Sequence, residues 1–458
     1  MSEPSLESAQ RVHLVGIGGS GMGALAGLLL QMGKHISGSD SSGSAAVAQL
    51  GARVFGQHAA ANVGDAEYVV RSSAVADDNV EVQEAQRRGL PLRKLADAVG
   101  ELMRGRSGVA IAGTHGKTTT TALVTWLLEC GGLDPLALIG ADAPRFSMGA
   151  RLGSGPMVVE ADEYDRRFLS YWPEVAVVTS IEADHLDYYR DVSEIREAFQ
   201  ELVSRVPAHG RVIVSADERC AASLVSVAQR DTYGVAECSN WRVTEYAPRR
   251  GGGSTFSLTT DGRTWSVESP LVGEHNACNV AAAIAVADYF GVGLRSALAA
   301  LPRFEGPRRR FESKGKSRGV WIVDDYAHHP TEVAAVLRAA RGVAEADVWV
   351  VFQPHTTNRT AALLEEFSRA FDQADHVLVL PIFRPAGREL AARHVTSSDL
   401  VARMRQREHA DVRLADTSAA ALEAIAADAQ PGDLVLTMGA GDVTRLSDEL
   451  VRELSGSR

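Results

Sequence analysis

Short apolar runs alternate along this chain with longer stretches whose apolar residues recur at helical spacing, and glycine-rich joints punctuate them. VHLV at 12–15 leads into Gly16, and MGALAGLLLQ predicts a buried helix that Gly33 ends. A second strand is expected from Lys34 to Ser37, stopping at Gly38-Ser39-Asp40. The alternation continues through YVVRSSAV to about Leu102, where the polar RGRSG at 104–108 marks a boundary.

A second unit opens with GVAIAGTHGKTTTTALVTWLLEC: apolar strand, tight glycine loop, helix. MVVEADE, VAVVTSIEADH and RVIVSADE follow as apolar runs that end in carboxylates or hydroxyls. In open parallel sheets ligands gather at the carboxyl ends of strands. Residues 240–272 change to near-alternation with a DG turn, which predicts an antiparallel hairpin or small meander. NACNVAAAIAVADYF is an Ala-rich helix, and PRFEGPRRR at 302–310 is a second break. Beyond it VWIVDDY, VWVVFQPH, HVLVLPIF and LVLTMGAG are strand-like, with helical stretches such as EVAAVLRAAR between them. The expected domains are therefore 1–106, 107–307 and 308–458.

Composition agrees. At 458 residues the chain is too long for one ordinary core, and 45% hydrophobic with 23% charged content is ordinary for a globular protein. A formal charge of −11 argues against nucleic acid as a partner. Cys130, Cys220, Cys238 and Cys278 are scattered without metal-ligand spacing, as reduced cytoplasmic thiols would be. The polar MSEPSLESAQ start is unlike a signal peptide, and no run approaches the ~18 apolar residues of a membrane span, so no membrane insertion is expected.

Gly16-x-Gly18-x-x-Gly21 lies between a strand and a helix, with Asp40 24 residues after Gly16. That pattern suits a nucleotide diphosphate on backbone N–H groups, NAD being the usual candidate, although a structural glycine turn has the same sequence. GTHGKTTTT at 113–121 resembles a phosphate loop shortened by two residues. Only Thr114 and His115 separate Gly113 from Gly116, and Ile111 stands where the first glycine usually does. Lys117 supplies a point charge for outer phosphates, and the Thr118 hydroxyl suits Mg2+.

Glu160, Asp162, Glu163 and Asp165 form one carboxylate cluster; Asp184, His185 and Asp187 form another. Mg2+ needs only one or two such protein oxygens beside phosphates. GEHNACN offers His275, Asn276 and Asn279 for an adenine, although Asn276 equally suits a helix cap. DDYAHHP and FQPHTTNRT suggest a polar site in the third unit, or ordinary loop chemistry.

Taken in order, GTHGKTTTT, EADEYD, IEADHLD, GEHNACN, DDYAHHP and FQPH…RT resemble the Mur ligases, ATP-dependent amino-acid ligases of bacterial peptidoglycan synthesis. HLVGIGGSGMGALA is similar to the member that joins L-alanine to UDP-N-acetylmuramate. The resemblance runs from about residue 11 to about 445. It implies an α/β protein of three domains: an N-terminal Rossmann-like domain for the UDP-sugar, a central P-loop ATPase with a small antiparallel portion, and a C-terminal Rossmann-like domain for the amino acid. ATP and Mg2+ are the implied cofactors, UDP-N-acetylmuramate and L-alanine the substrates, and a cytoplasmic monomer or homodimer the form.

Residue by residue, Gly16, Gly18, Gly19, Ser20, Gly21, Met22 and Asp40 match the UDP-sugar turn. Gly113, Thr114, His115, Gly116, Lys117, Thr118 and Thr119 match the ATP loop, with Thr118, Glu160 and His185 at metal positions. His275, Asn279, Arg310 and Asp325 match ATP-contacting positions. His329 and Arg359 lie near the muramyl-carboxylate and amino-acid end, and Lys117, Glu160, His185, His329 and Arg359 form the implied catalytic set.

Three departures stand out. Ser180 replaces a usual Asn, and Thr356 stands where some members carry Arg. No Lys occurs between Lys117 and Lys314, so the carbamylated Lys of several relatives is missing. A recycling ligase that attaches an L-Ala-γ-D-Glu-diaminopimelate tripeptide to the same sugar is the nearest alternative. An NAD-dependent oxidoreductase and a regulatory nucleotide-binding protein are more distant ones.

Overall fold

The computed structural model describes residues 4–41, 43, 45–186, 188–384 and 395–456; Asp187, one of the candidate carboxylates, lies outside them. Among the described residues there are three sheets. The first contains β1 (Arg11–Val15), β2 (His35–Ser39), β3 (Arg53–Phe55), β4 (Tyr68–Arg71) and β5 (Leu92–Lys94), all parallel in the order β3-β2-β1-β4-β5. β2 runs through Gly38 and Ser39, where a stop was expected. Gly38 is there for close approach rather than for a turn: a Cβ on it would fall 2.6 Å from the Leu14 carbonyl oxygen of the neighbouring strand.

The second sheet comprises β6 (Gly108–Ala112), β7 (Leu136–Leu138), β8 (Ala150–Arg151), β9 (Met157–Ala161), β10 (Val175–Val178), β11 (Arg211–Ser215), β12 (Gln229–Gly234), β13 (Trp241–Pro248), β14 (Ser254–Thr260) and β15 (Arg263–Ser269). Its order is β15-β14-β13-β12-β11-β10-β6-β9-β7-β8. β6 and β10 are buried along their whole length, as unbroken apolar runs in a helix-covered parallel sheet should be. The expected DG turn joins β14 to β15, with φ of 47° at Asp261 and 69° at Gly262, the signs a two-residue hairpin turn requires.

The third sheet holds β16 (Glu312–Ser317), β17 (Val320–Asp325), β18 (Val348–Phe352), β19 (His376–Val379), β20 (Val412–Leu414) and β21 (Leu434–Met438), in the order β16-β17-β21-β18-β19-β20. Only the β16–β17 pair is antiparallel. Strand period splits its side chains between two apolar clusters: Val348, Val350 and Phe352 enter one, Trp349 and Val351 the other. Helices therefore cover both faces.

Two compact units result. One is Met1–Thr244 with Ser257–Val267 and Cys278–Pro307; the other is Glu245–Phe256 with Glu268–Ala277 and Arg308–Arg458. The first sheet and most of the second share a unit, and one apolar cluster, holding Leu28 and Val178 alike, runs through both. Among the described residues no helix is long and apolar enough to cross a membrane.

Candidate active site

β6 lies between β9 and β10, whereas the chain leaving β6 returns first as β7, beyond β9. The sheet order thus reverses beside β6, the place where open parallel sheets take their ligands, and the carboxyl ends of β6, β9 and β10 adjoin there. The loop 113–116 fills the end of β6 and runs into the Lys117–Cys130 helix. Gly113 has φ 138°, and a Cβ there would overlap the Thr179 hydroxyl at the end of β10. Gly116, φ 81°, begins the helix, and a Cβ on it would lie 2.8 Å from Asn279 Oδ1. Both glycines are demanded by conformation and by space. The helix N-terminus has no side-chain cap and no acidic residue in its first turn, so its positive end faces the loop.

The loop is tied to the segment after β10. Thr114 N–H donates to the Ser180 carbonyl at 2.9 Å, His115 N–H to the Ser180 hydroxyl at 3.0 Å, and Glu182 N–H to Thr114 Oγ1 at 2.9 Å. Ser180, a departure in sequence, thus accepts a loop N–H. Thr179 Oγ1 donates to the His115 carbonyl. Neither Thr179 nor Glu182 was singled out, because their contacts follow from the β6–β10 register, in which Val178 pairs with Ala112.

Two pairings bring carboxylates on β9 and just beyond it to the loop. Thr118 Oγ1 donates to Glu160 Oε1 at 3.1 Å, and Gly140 N–H donates to Glu160 Oε2 at 2.7 Å. Lys117 Nζ donates to Glu163 Oε2 at 2.8 Å, to the Thr114 carbonyl at 3.3 Å and to the Gly113 carbonyl. Burial opposes the Lys117 charge, yet Glu163, Asp162 and Glu160 together raise its pKa above the ordinary lysine value. Burial raises the Glu163 pKa, and Lys117 works against that rise. His185, φ 55°, packs its ring on Tyr164 with centroids 4.9 Å apart, and its Nε2 stands 3.9 Å from Glu163 Oε1 and 3.8 Å from Asp184. Asp162 accepts from Arg167 at 3.2 Å, and Asp165 lies in the left-handed turn that follows, with φ 57°.

Around the first glycine turn, Gly16 has φ 84° and Gly18 N–H donates to Asp40 Oδ2 at 2.9 Å. Asp40 holds the turn itself, through a carboxylate a Cβ on Gly18 would strike. Gly19, Ser20 and Gly21 begin the Ser20–Gln31 helix. Met22 is buried in the apolar core, so its backbone N–H is what it can offer a ligand.

The second unit holds the remaining candidates except Asn279. Asp325, at the end of β17, accepts N–H bonds from Phe311 and Ala327, both at 2.7 Å. Burial pushes its pKa up to about 6, against the pull of Arg310 and of those two bonds. The Arg310 guanidinium lies 5.1 Å from the Tyr326 ring centroid. His329 caps the Pro330–Val343 helix in a reciprocal arrangement with Glu332. The neighbouring His328, unremarked in sequence, has its ring 5.7 Å from that of His355, and the Arg359 guanidinium lies 3.5 Å from His355 Nδ1. Thr356, the other departure, caps the Thr357–Ala362 helix by accepting from Arg359 N–H. On the Glu274–Tyr289 helix, Asn276 donates to the Val272 carbonyl at 2.8 Å, a local tie. His275 is pulled down to about 4 by burial and then by Arg338, with Glu332 opposing. His275 belongs to the second unit and Asn279 to the first.

Comparison with known proteins agrees with this arrangement. Residues 11–107 match the family description "Mur ligase family, catalytic domain", 111–287 "Mur ligase middle domain", and 309–441 "Mur ligase, glutamate ligase domain". A Thermobifida fusca protein named UDP-N-acetylmuramate--L-alanine ligase is 42% identical, the match covering 99% of this chain and 98% of that one. A Geotalea uraniireducens protein of the same name is 39% identical over 98% of each. The crystal structure of a UDP-N-acetylmuramate-alanine ligase from Thermotoga maritima superposes with a TM-score of 0.83 at 26% identity, covering 98% of this chain and 100% of that one. A murein peptide ligase from Psychrobacter arcticus gives 0.70 at 25% identity, covering 97% and 99%. The oxidoreductase reading of Gly16–Gly21 finds no support among these. The chain is a member of the Mur ligase family, and its fold is the three-domain α/β fold of that family.

Proposed function

We propose that this chain joins L-alanine to the carboxylate of UDP-N-acetylmuramate at the expense of ATP, as a step in making peptidoglycan precursor. The observation that carries the reading is the glycine loop at the end of β6, with Thr118 meeting a carboxylate on β9 and Lys117 one just beyond it. That is a triphosphate site, and ATP is the triphosphate that the family resemblance implies. The shared name of relatives near 40% identity supports the choice of alanine.

Residues 1–106 bind the UDP-sugar, with its diphosphate on the N–H groups of Ser20, Gly21 and Met22 at the helix start, while Gly16, Gly18 and Gly19 shape the turn that lets it approach. Residues 107–307 hold ATP, and 308–458 present the amino acid. Thr118 Oγ1 and Glu160 Oε1, two hard oxygens 3.1 Å apart with the carboxylate seated on Gly140 N–H, fit Mg2+ as a donor set. Those two residues, with His185 as a third position, would hold Mg2+, which neutralises phosphate oxygens when bound.

A carboxylate is a poor electrophile with a very poor leaving group, so the sugar carboxylate is first phosphorylated. Lys117 and the N–H groups of residues 116–119 bind the outer phosphates and stabilise charge on the transferred group, while Thr114 and His115 brace the loop on Ser180. Amine attack on the acyl phosphate then gives a tetrahedral intermediate that expels phosphate. His329 and Arg359 orient the muramyl carboxylate and the incoming amino acid. Asn279, His275, Arg310 and Asp325 hold the nucleotide. The enzyme works in the cytoplasm as a monomer or homodimer.

Purified enzyme with ATP, UDP-N-acetylmuramate and one amino donor decides the matter. Phosphate release with L-alanine is expected. Release only with the L-Ala-γ-D-Glu-diaminopimelate tripeptide makes the chain a recycling ligase. The compact EADEYDRRFLSYWPEVAVVTSIEADH stretch and FQPH argue against that outcome.

A further inference from the structure

An ammonium group has three N–H donors, and those of Lys117 are directed at three acceptors of its own chain: the Gly113 carbonyl, the Thr114 carbonyl and Glu163 Oε2. A phosphate oxygen that binds Lys117 must take a donor from one of them. The two carbonyls belong to the loop and move with it. Glu163 comes from the end of β9, and it alone of the three carries charge.

Glu163 is held from several sides. Its side chain is 3% exposed. Its carbonyl accepts the buried Tyr189 hydroxyl at 2.5 Å and Arg166 N–H at 3.0 Å. The next turn has φ of 57° at Asp165 and 52° at Arg166, a left-handed pair of non-glycine residues, and His185 opposite it has φ 55°. Such conformations persist where surrounding contacts over-determine them. A carboxylate placed that firmly beside a phosphate-binding lysine is a fixed competitor for it.

We propose that Glu163 is a positioning residue that holds the Lys117 ammonium in the loop and yields it to a nucleotide phosphate, so that one anion is exchanged for another when nucleotide binds. The exchange lowers nucleotide affinity and keeps Lys117 placed and charged between turnovers. It rests on the reading of 113–119 as a phosphate loop, and the test separates the two.

Calorimetric titration with ADP is run on the intact chain and on Glu163→Gln, Lys117→Gln, the double variant and Asp162→Asn. Glu163→Gln keeps shape and an acceptor oxygen but removes the competing charge, so ADP binds about fivefold tighter. Asp162→Asn removes a nearby charge that makes no hydrogen bond to Lys117, and its effect stays below about twofold. In the Lys117→Gln background, Glu163→Gln changes ADP affinity less than about twofold. Equal effects in both backgrounds, or weaker ADP binding by Glu163→Gln, overturn the proposal. A Lys117→Gln chain that binds ADP as tightly as the unsubstituted one overturns instead the phosphate-loop reading. Melting curves accompany each titration. Should Glu163→Gln fail to fold, Glu163→Asp withdraws the carboxylate by one methylene, and the same tightening, in smaller measure, is required of it.

Discussion

Thr118 and Glu160, 42 residues apart in sequence, meet at 3.1 Å where the phosphate loop faces the end of β9. The contact is not a chance surface bond: the second carboxylate oxygen is seated on Gly140 N–H at 2.7 Å, and a Cβ on Gly140 would collide with it. The carboxylate is held on one side and offered on the other. Glu160→Gln keeps the shape and one acceptor oxygen for Gly140 N–H, its NH2 now donating to the Thr118 hydroxyl, but removes the charge a divalent ion needs. The Mg2+ concentration for half-maximal phosphate release should rise about 10- to 100-fold. A Mg2+ titration at saturating ATP reads this directly, and an unchanged half-point removes Glu160 from the metal set.

Lys117→Ala takes the cation from the loop without disturbing the first glycine turn, which lies in another sheet. Phosphate release should fall by about 100- to 1000-fold or more, the scale of losing a charged group aimed at the transferred phosphoryl. Affinity for UDP-N-acetylmuramate should stay within about twofold, since no part of 16–22 touches the loop in this reading. Parallel loss of both would place Lys117 in folding rather than in chemistry.

Gly113→Ala tests the loop's shape. The alanine would carry φ 138° and press its methyl into the Thr179 hydroxyl, which itself bonds the His115 carbonyl. The backbone cannot relax without breaking Thr114 N–H to Ser180. A loss of about 2–4 kcal/mol is expected, seen as a drop of several degrees in the melting transition. Gly33→Ala, at φ 78° with nothing near its Cβ, meets the backbone cost alone and should lose less.

How much of this was legible beforehand depends on the reach of each interaction. The strand-loop-helix of 108–130 is local, and its apolar run, glycines and Lys-Thr pair predict it without help. Thr118 and Glu160 were both recognised, but as members of separate motifs, and only the β6–β9 register, Ile111 against Glu160, makes them neighbours. Glu163 was one carboxylate among several, because nothing in EADEYD says which of its acids turns toward Lys117. Ser180 and Thr356 looked like losses by residue type. In the fold one accepts a loop N–H and the other caps a helix, tasks a hydroxyl performs as well as an amide. Asp40 was read as a ligand group from its offset alone, whereas the bond from Gly18 makes it part of the turn.

Asp325 gives a pH prediction with a definite sign. Its folded pKa of about 6 lies above the ordinary aspartate value of 3.8, because burial outweighs Arg310 and the two N–H bonds it accepts. The native chain therefore keeps a proton that the unfolded chain has released between pH 4 and 6. The group's contribution to stability is full below the unfolded value and is lost as pH rises through 6, by about 3 kcal/mol in all. Asp325→Asn cannot titrate and has no such loss. The asparagine variant should melt lower than the unsubstituted chain at pH 4.5, where the acid is protonated and well bonded. The gap should close or reverse at pH 7. Other titrating groups contribute equally to both chains and cancel in the difference. A gap that stays constant across this range would mean that Asp325 is ionised throughout, held as a carboxylate by Arg310, and its place at the nucleotide would then be that of a permanent charge.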